Sequence, residues 1–359
     1  MSQIPAGRSY RIKNKGSGLY LNVVGNSNSQ SAQLEQYRSQ SGAERAHQVW
    51  HVFPLDFGHY LLANKSSGYV ANIVGNSTSR SALAEQYRLQ DVKTNQPAQQ
   101  WLLRDAGGGT YEIINNKSQL NLNVVGFSTS QSANVEQYIK VSGANFDFER
   151  WLLEPVDEYK PILDLRPGED SIGDIIRLTG YANPTPSSTT PVLVGSMAYP
   201  FPLVTDPAYS RERQARENPY YIMRKYGYWT KVYYYEHGGA SEYTHKETTR
   251  VGLTSSSSTT VEETTSISVT AEASFAFKGF GASLSSTFTQ ELKVTTTETV
   301  TEESSREVEI TRTYAAKDHV AEAIWYRDDK YVLERLDGSK VLEWTTRDPN
   351  TTVADAYRA

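Results

Sequence analysis

The feature that most constrains this chain is a pattern repeated three times in its N-terminal part. An asparagine-led hexapeptide occurs at 22–27, 72–77 and 123–128, at intervals of 50 or 51 residues, and a Glu-Gln-Tyr tripeptide follows each copy. A tryptophan closes each unit, at Trp50, Trp101 and Trp151. One unit of this length cannot bury its own apolar residues, whereas three units around an axis can. The repeat therefore predicts a closed, threefold β domain with the tryptophans at its centre.

The rest of the chain must form at least one further domain, because 359 residues suffice for two or three separate cores. The 24 tyrosines and the scarcity of leucine-rich helical periodicity favour β structure throughout. We therefore predict an all-β chain with a repeat domain at 1–156 and a second, elongated antiparallel β domain at 157–359.

Composition disfavours several classes of function. A net charge of −5 disfavours nucleic-acid binding, and the absence of cysteine excludes disulfides, thiolate catalysis and cysteine-ligated zinc. The N-terminus lacks the apolar stretch of a secretory signal, so we expect a protein made soluble and without a signal peptide. The six histidines lack metal-ligand spacing, and we expect no cofactor. Four carboxylates could still supply a glycosidase pair, which leaves an enzyme as an alternative: Asp164, Glu169, Asp170 and Asp174.

The ends of the three repeats resemble the Gln-x-Trp signature of ricin-B-type β-trefoil lectins, over about residues 8–156. The resembling tripeptides are Gln48-Val49-Trp50, Gln99-Gln100-Trp101 and Glu149-Arg150-Trp151. The resemblance implies a sugar site in each repeat, with a hydroxyl-binding side chain before a Val-x-Gly turn and an aromatic ring that stacks on the sugar. Carried over by position, the candidate carbohydrate-binding residues are Asn22, Glu35, Tyr37, His47, Gln48, Asn72, Glu85, Tyr87, Gln99, Asn123, Glu136 and Tyr138.

The repeats depart from the family pattern in two ways. Asparagine replaces the usual aspartate in all three, so that a charge-assisted acceptor is lost and each sugar contact should be weaker. The family asparagine before Gln-x-Trp is replaced by His47, Ala98 and Phe148, so we expect the first site to be the most competent and the third the least. We expect Glu-Gln-Tyr to be exposed. The alternative is that the asparagines only hold turns and the tyrosines brace the barrel.

Residues 267–294 alternate apolar and polar, and the phase of the alternation changes at Lys278-Gly279. A two-residue turn there predicts a hairpin in which Phe275 pairs with Ala282, Ala273 with Leu284 and Val269 with Phe288. Each arm, 267–277 and 280–290, has the length of a membrane-crossing strand. The candidate membrane-insertion residues are Ile267, Val269, Ala271, Ala273, Phe275, Phe277, Lys278, Gly279, Phe280, Ala282, Leu284 and Phe288. Half-buried strands of a soluble sandwich remain the alternative.

The surrounding sequence predicts further elements. We expect an irregular, proline-rich stretch at 157–200, a short helix at 208–217 and long Ser/Thr-rich strands at 254–266 and 295–305. An Asp337-Gly338 hairpin turn is expected near the C-terminus. The aromatic block from Tyr220 to Tyr235 is either a docking surface, for a membrane interface or a second glycan, or the tyrosine-rich core face of a strand pair.

Long Ser/Thr-rich strands that bracket an amphipathic hairpin resemble the aerolysin-like β-pore-forming toxins, including the epsilon-toxin and mosquitocidal-toxin type, over about 157–359. The resemblance implies a protein that binds cell-surface glycans, forms a homo-oligomer on target membranes, and inserts residues of about 261–296 into a transmembrane β-barrel. It would act outside the cell that makes it and without enzymatic activity. The alternative is a defence or storage lectin that forms no pore and whose C-terminal domain mediates oligomerisation.

Overall fold

The computed structural model describes residues 4, 8–90, 96–156, 161–182, 185–277, 284–297 and 303–358. Contacts between Cα atoms divide the chain into two compact units. The first contains the three repeats together with Ala198–Tyr221, and the second contains Leu165–Met197, Ile222–Phe277 and Ser285–Ala359. The fold is all-β, as the sequence predicts.

Twelve strands form the sheet of the first unit within the described residues. They are β1 (Ser9–Asn14), β2 (Tyr20–Val23), β3 (Leu34–Tyr37), β4 (Val49–Pro54), β5 (His59–Asn64), β6 (Val70–Ile73), β7 (Ala84–Tyr87), β8 (Trp101–Gly107), β9 (Thr110–Asn115), β10 (Asn121–Val124), β11 (Val135–Tyr138) and β12 (Arg150–Pro155). Strand β1 pairs with β12, and this pairing closes the unit. Each repeat contributes one hairpin of two four-residue strands: β2–β3, β6–β7 or β10–β11. The predicted threefold closure is confirmed.

The repeat tryptophans lie in the single core of this unit. Trp50, Trp101 and Trp151 are fully buried and belong to one apolar cluster. Each indole N–H donates to a backbone carbonyl of its own repeat, over 3.0–3.3 Å. The buried polar edge of each ring is thus satisfied, which is what allows a tryptophan to serve as a core residue.

The repeats are locked to one another by the glutamine of Glu-Gln-Tyr. Its side-chain amide donates to two serine carbonyls of another repeat: Gln36 to the loop at 128–130, Gln86 to 27–29 and Gln137 to 77–79. All three glutamines are fully buried. The prediction that they are exposed is wrong, because six backbone carbonyls need buried donors at the points where the repeats meet.

Residues 198–221 pack with the repeats, so the first unit is not continuous in sequence. Helix α1 (Arg211–Glu217) confirms the predicted short helix, and Ser210 caps it. The His51 ring lies 2.7 Å from the Ala215 carbonyl oxygen, and the Phe53 ring packs edge-on against Tyr220 at 4.9 Å.

The second unit is built on a six-stranded antiparallel sheet. In spatial order its strands are β13 (Val192–Pro200), β14 (Tyr220–Gly238), β20 (His319–Glu334), β21 (Lys340–Arg358), β15 (Tyr243–Leu253) and β19 (Ser305–Tyr314). The tyrosine-rich block is one 19-residue strand, β14, rather than a strand pair. The prediction that 157–200 is irregular fails at β13, a nine-residue strand that pairs with β14.

The Asp337-Gly338 turn is confirmed, since Gly338 has φ +83° and the Arg335 N–H donates to the Ser339 carbonyl. The two long Ser/Thr-rich strands exist at β15 and β19, largely outside the predicted ranges. The predicted range 295–305 contains the two-residue strand β18 (Thr296–Thr297) and the first residue of β19, and residues 298–302 lie outside the described residues. The predicted strand at 254–266 is wrong, because Ser257 caps helix α2 (Ser258–Thr265) there. Among the described residues, no helix is long and apolar enough to cross a membrane.

Candidate functional site

Each repeat pairs its asparagine with its glutamate across one hairpin. Strand register places Asn22 opposite Glu35, Asn72 opposite Glu85 and Asn123 opposite Glu136. The amide nitrogen donates to the carboxylate at 2.9, 2.8 and 3.1 Å respectively. All six side chains are buried, so the prediction that the glutamates are exposed is wrong. The carboxylate instead fixes the asparagine by accepting a hydrogen bond from its buried side-chain amide.

Among the described residues, the side-chain oxygens of the three asparagines are all unsatisfied hydrogen-bond acceptors. In all three pairs the Oδ1 atom is buried and has no hydrogen-bond partner within the part of the chain that the structure describes. Burial also raises the pKa of Glu85. The threefold recurrence of an unsatisfied acceptor marks these hairpins as candidate sites, because buried polar atoms are normally paired.

The predicted stacking tyrosines remain partly exposed. Tyr37, Tyr87 and Tyr138 end the second strand of each hairpin, and each has a half-buried ring. They are the predicted site residues whose rings a sugar could contact without any rearrangement.

The residues before the tryptophans serve the backbone. The Gln48 amide donates to the Arg38 carbonyl at 2.7 Å and accepts from the Gln40 N–H at 3.0 Å, and Gln99 makes the equivalent bonds to Arg88 and Gln90. Both glutamines are fully buried. The structure therefore places them inside the domain, where they fix the chain that follows each stacking tyrosine, and not at a sugar-accessible surface.

His47 lies at the edge of the first repeat. Its Nε2 atom is 3.2 Å from the Ser66 hydroxyl, which also donates to the Asn28 side chain at 2.9 Å. Burial lowers the pKa of His47, so the ring is neutral at neutral pH. A neutral imidazole can donate one hydrogen bond and accept another, which suits recognition of a hydroxyl group.

The third repeat differs from the other two because two phenylalanines form a cluster with its predicted stacking tyrosine. The Phe127 ring packs edge-on against Tyr138 at 6.0 Å and lies 6.1 Å from Phe148. Phe127 was not among the predicted site residues. Aligning the repeats would have found it, because Asn26 and Asn76 occupy its position in the other two copies.

Glu149 stands where the other repeats have glutamine. One of its oxygens accepts from the Val141 N–H and from Asn121, whereas the other is buried and unpartnered within the described residues. In the first two repeats the equivalent atom is an amide nitrogen, which donates to the carbonyl of Arg38 or Arg88. The corresponding carbonyl in the third repeat belongs to Ile139, the residue after Tyr138, and we expect a glutamine at position 149 to donate to it. Burial raises the pKa of Glu149, as expected of a carboxyl that lacks a donor.

We expect Glu149→Gln to stabilise the protein at neutral pH by about 1 kcal/mol, because it restores this hydrogen bond. A raised carboxyl pKa means that the native state binds the proton more tightly than the unfolded state. Glu149 therefore contributes most to the free energy of unfolding at acidic pH, and this contribution falls as the pH rises through the raised pKa. Urea unfolding at several pH values should show a gain at pH 7 that shrinks as the pH approaches the unfolded glutamate pKa of about 4.3. A gain independent of pH would contradict this assignment.

The candidate insertion segment is not the predicted hairpin in this structure. Strand β16 (Ile267–Val269) pairs with β17 (Phe275–Phe277), with Val269 opposite Phe275, so the first predicted arm folds back on itself. The second predicted arm contains helix α3 (Ser285–Glu291). The predicted pairings of Phe275, Ala273 and Val269 with the second arm are therefore wrong. Lys278, Gly279, Phe280 and Ala282 lie outside the described residues.

Two local causes explain the difference. The Thr270 and Ser274 hydroxyls are 2.7 Å apart and are buried, which closes a turn at 270–274 with Ala273 at φ +58°. In the second arm the apolar residues Leu284, Phe288 and Leu292 are spaced by four. This spacing satisfies both a strand of period two and one face of a helix.

Three phenylalanines of the segment are nevertheless buried together. Phe275 is fully buried and packs against Tyr331 at 4.9 Å and Phe288 at 6.0 Å, and Phe277 packs against Phe288 at 4.8 Å. Trp344 completes the cluster, 5.2 Å from Tyr331. Since Tyr331 and Trp344 belong to β20 and β21, this cluster holds Phe275, Phe277 and Phe288 on the protein's own sheet.

A charged cavity of about 430 Å³ lies beside this aromatic contact, between the segment and the sheet. Its lining residues are Lys225, Glu272, Ala273, Ser274, Lys293, Val294, Thr295, Arg327, Asp329, Tyr331, Asp348 and Asn350. The buried Lys225 ammonium pairs with Asp329 at 2.9 Å and donates to the Lys293 carbonyl at 3.0 Å. Burial lowers the pKa of Lys225, and Asp329 opposes this shift.

Two exposed ion pairs also hold the segment. The Lys293 ammonium lies 2.7 Å from Asp170, and the Arg306 guanidinium lies 2.9 Å from Glu272. Exposed pairs of this kind each contribute about 1 kcal/mol or less. No group of three His, Asp or Glu side chains within the described ranges could hold a metal ion.

Comparisons with known proteins agree with this two-part organisation. Residues 3–87 and 46–138 match the family described as ricin-type beta-trefoil lectin domain-like. Residues 192–359 match the family described as Insecticidal Crystal Toxin, P42. The chain is thus similar to ricin-type lectin domains over its repeats and to insecticidal crystal toxins over 192–359.

Individual proteins are also similar to this chain. The insecticidal crystal protein Cry35Ab1 of Bacillus thuringiensis is 22% identical over 227 residues, which cover 62% of this chain and 54% of the relative. The match thus spans about half the length of that curated protein. The crystal structure of Cry35Ab1 superposes with a TM-score of 0.80 at 18% identity and covers 99% of this chain and 91% of that one. The ricin B-like lectin of Macrolepiota procera, solved with lactose, is 19% identical over 43% of this chain and 99% of its own, with a TM-score of 0.34.

Proposed function

We propose that this protein is a glycan-binding, pore-forming toxin. The lectin-type domain would hold it on the glycans of a target cell surface. The segment of about 261–296 would then leave its own sheet and enter the membrane within a homo-oligomer. Homology to insecticidal crystal toxins supports the toxin role and supports an insect as the target. The proposed action requires no enzymatic step.

The observation that carries the proposal is how the segment is stored. Phe275 is buried against Tyr331 and Trp344, and Phe277 and Phe288 pack beside it. A charged cavity and two exposed ion pairs involve the polar residues of the segment. Burial of Phe275, Phe277 and Phe288 contributes about 5–9 kcal/mol. Burial of the same side chains in the hydrocarbon of a membrane would contribute a similar free energy. Transfer of these phenylalanines from the sheet to the membrane therefore costs little.

The backbone sets the need for an oligomer. A single hairpin in lipid would leave its outer N–H and C=O groups unpaired, at several kcal/mol for each group. A closed barrel to which every protomer contributes two strands pairs all of these groups. The segment would then have to exchange its short strands and helix α3 for the longer alternating strands that its sequence pattern allows. Ser268 and Glu272 would face the water-filled lumen.

Glycan binding has its own test in the stacking tyrosines. Replacing Tyr37, Tyr87 or Tyr138 by alanine should weaken glycan binding by about two- to tenfold for each site, because a ring contact contributes about 0.5–1.5 kcal/mol. The triple variant should lose more than any single variant, since several weak sites act together on a glycan-bearing surface. A glycan array, followed by titration on vesicles that bear the selected glycan, measures both effects.

One matched control keeps the ring at the site, and the other removes a ring outside the site. Tyr37→Phe retains the stacking face and should bind nearly as well as the wild type. Phe57→Ala removes a ring that is 89% exposed but lies outside the predicted sites, and it should not change binding. Full glycan binding by the triple alanine variant would show that the tyrosines are not the sugar contacts.

Dye release from vesicles that bear the selected glycan tests pore formation. Release that depends on both the glycan and the segment is the expected result. Binding without release, across membranes of varied composition, would favour the alternative of a lectin whose C-terminal domain only mediates oligomerisation.

A further inference from the structure

A second, smaller cavity lies at the far end of strand β14, within the second unit. It has a volume of about 270 Å³ and is lined by Tyr181, Glu236, His237, Gly238 and His319; we name it the strand-end cavity. The antiparallel register pairs Gly238 with His319, which brings the end of β14 and the start of β20 together at this point. The tyrosine-rich block, which the sequence pattern indicates as a docking surface or a core face, leads along β14 to this cavity.

The polar groups of the strand-end cavity are held in fixed directions. The Glu236 carboxylate accepts from the Ala182 N–H at 2.6 Å and from the Tyr234 hydroxyl. The Tyr181 ring packs edge-on against Tyr357 at 5.3 Å. A fixed carboxylate beside a fixed aromatic ring loses little conformational entropy when a ligand binds.

The His237 imidazole is also held in place, and the exposed His319 ring lies beside Gly239. His237 Nε2 lies 3.2 Å from the Ala315 carbonyl oxygen and its ring stacks on Tyr314 at 5.4 Å. Because a carbonyl only accepts, Nε2 must carry a proton, which leaves Nδ1 as the acceptor of a neutral ring. His319 packs against Gly239, where a Cβ atom would lie 2.9 Å from its Nε2.

The lining decides between classes of ligand. Glu236 disfavours an anion, the two imidazoles disfavour a cation, and the carboxylate and the imidazoles together disfavour a purely apolar ligand. A neutral polyhydroxylated ring fits all three groups, because its hydroxyls can donate to the carboxylate and accept from the imidazoles while its C–H face rests on tyrosine. The volume lies near the lower end of small-molecule sites, about 300 Å³, which suits one sugar ring and not a longer oligosaccharide.

We propose that the strand-end cavity is a second carbohydrate site, which binds one neutral hexose unit in the C-terminal part of the chain. The proposal does not rest on the sites of the repeats. A protein with sugar sites in both parts could engage two glycans of one surface, and its retention there would exceed the affinity of either site.

The test titrates the full-length protein with galactose, glucose, N-acetylgalactosamine and N-acetylglucosamine and follows the histidine ring protons by NMR. Glycerol serves as a polyol that lacks the ring. We expect at least one sugar to shift the His319 and His237 signals, and Glu236→Gln to weaken that response about tenfold, because a charged acceptor is lost. Glutamine keeps an oxygen for the Ala182 N–H, so the wall of the cavity should stay in place. Should Glu236→Gln fail to fold, His319→Gln removes the second wall and His237 remains as the reporter.

The signals separate this site from the repeats. His47 reports on the first repeat, and the triple tyrosine variant should lose any His47 response while it keeps those of His319 and His237. The proposal is overturned if no sugar of the panel shifts the His319 and His237 signals, if glycerol shifts them equally, or if Glu236→Gln responds as the wild type does. Each of these outcomes is independent of whether the repeats bind glycans.

Discussion

Replacing Ala273 by aspartate is expected to abolish the release of dye from glycan-bearing vesicles while the soluble protein remains folded and binds glycan normally. In the stored structure Ala273 sits in a turn at φ +58°, partly exposed and facing the charged cavity. Aspartate adopts this left-handed conformation more readily than alanine does. In the proposed membrane state the same residue faces acyl chains, where a charge costs up to a few kcal/mol in every protomer of the ring.

Two further substitutions separate the membrane effect from any change in docking. Ala273→Lys inverts the added charge, so that an effect exerted through the ion pairs of the cavity must change sign, whereas the cost in hydrocarbon does not. Both charged variants should therefore be inactive. Ala273→Asn suits the turn and adds no charge, and it should retain substantial release. Unimpaired release by both charged variants would exclude this part of the chain from the membrane-facing surface.

Covalent attachment of the segment to its own sheet is expected to block release completely and reversibly. The chain has no cysteine, so Glu272→Cys with Arg306→Cys introduces the only two thiols. The wild-type side chains meet at 2.9 Å, and Arg306 lies in β19, outside the proposed insertion segment. A short bifunctional thiol reagent with a disulfide in its spacer would join the two positions, and dye release would be measured before and after reduction.

The uncrosslinked double variant should release dye at least as fast as the wild type, because loss of an exposed ion pair lowers stability by about 1 kcal/mol at most. Each single-cysteine variant, treated with the same reagent, controls for modification alone. Undiminished release by a fully crosslinked protein, with crosslinking verified by mass spectrometry, would show that the segment need not leave the sheet.

The candidate sugar sites show how far aligned repeats can lead. The sequence identified the hairpins, the tryptophan core and the tyrosines at their half-exposed positions. It did not reveal that Glu35 turns inward to hold Asn22, or that Gln48 serves the backbone. Those roles depend on which face of a short hairpin meets the core, and a four-residue strand offers too few alternations to decide this from sequence.

The insertion segment is a part of the chain whose secondary structure the sequence did not predict. The described residues Phe275, Phe277 and Phe288 are buried together, but the hairpin predicted for them is wrong. Leu284, Phe288 and Leu292 fit a strand and a helix equally well, and the turn at 270–274 depends on a hydrogen bond between two buried hydroxyls. Local sequence cannot assign such a segment, because its conformation depends on what covers it.

By itself the sequence determined the threefold repeat, the β class of the whole chain and the set of side chains that must avoid water, because periodicity and burial follow directly from the order of apolar residues. Only the tertiary structure decided where those side chains are buried. The cluster formed by Phe275, Tyr331 and Trp344 joins residues more than fifty positions apart, and the cavity around Lys225 exists only once β14, β20 and the segment are assembled. Contacts between such distant residues depend on how strands pair and curve together, which no local pattern of residues specifies.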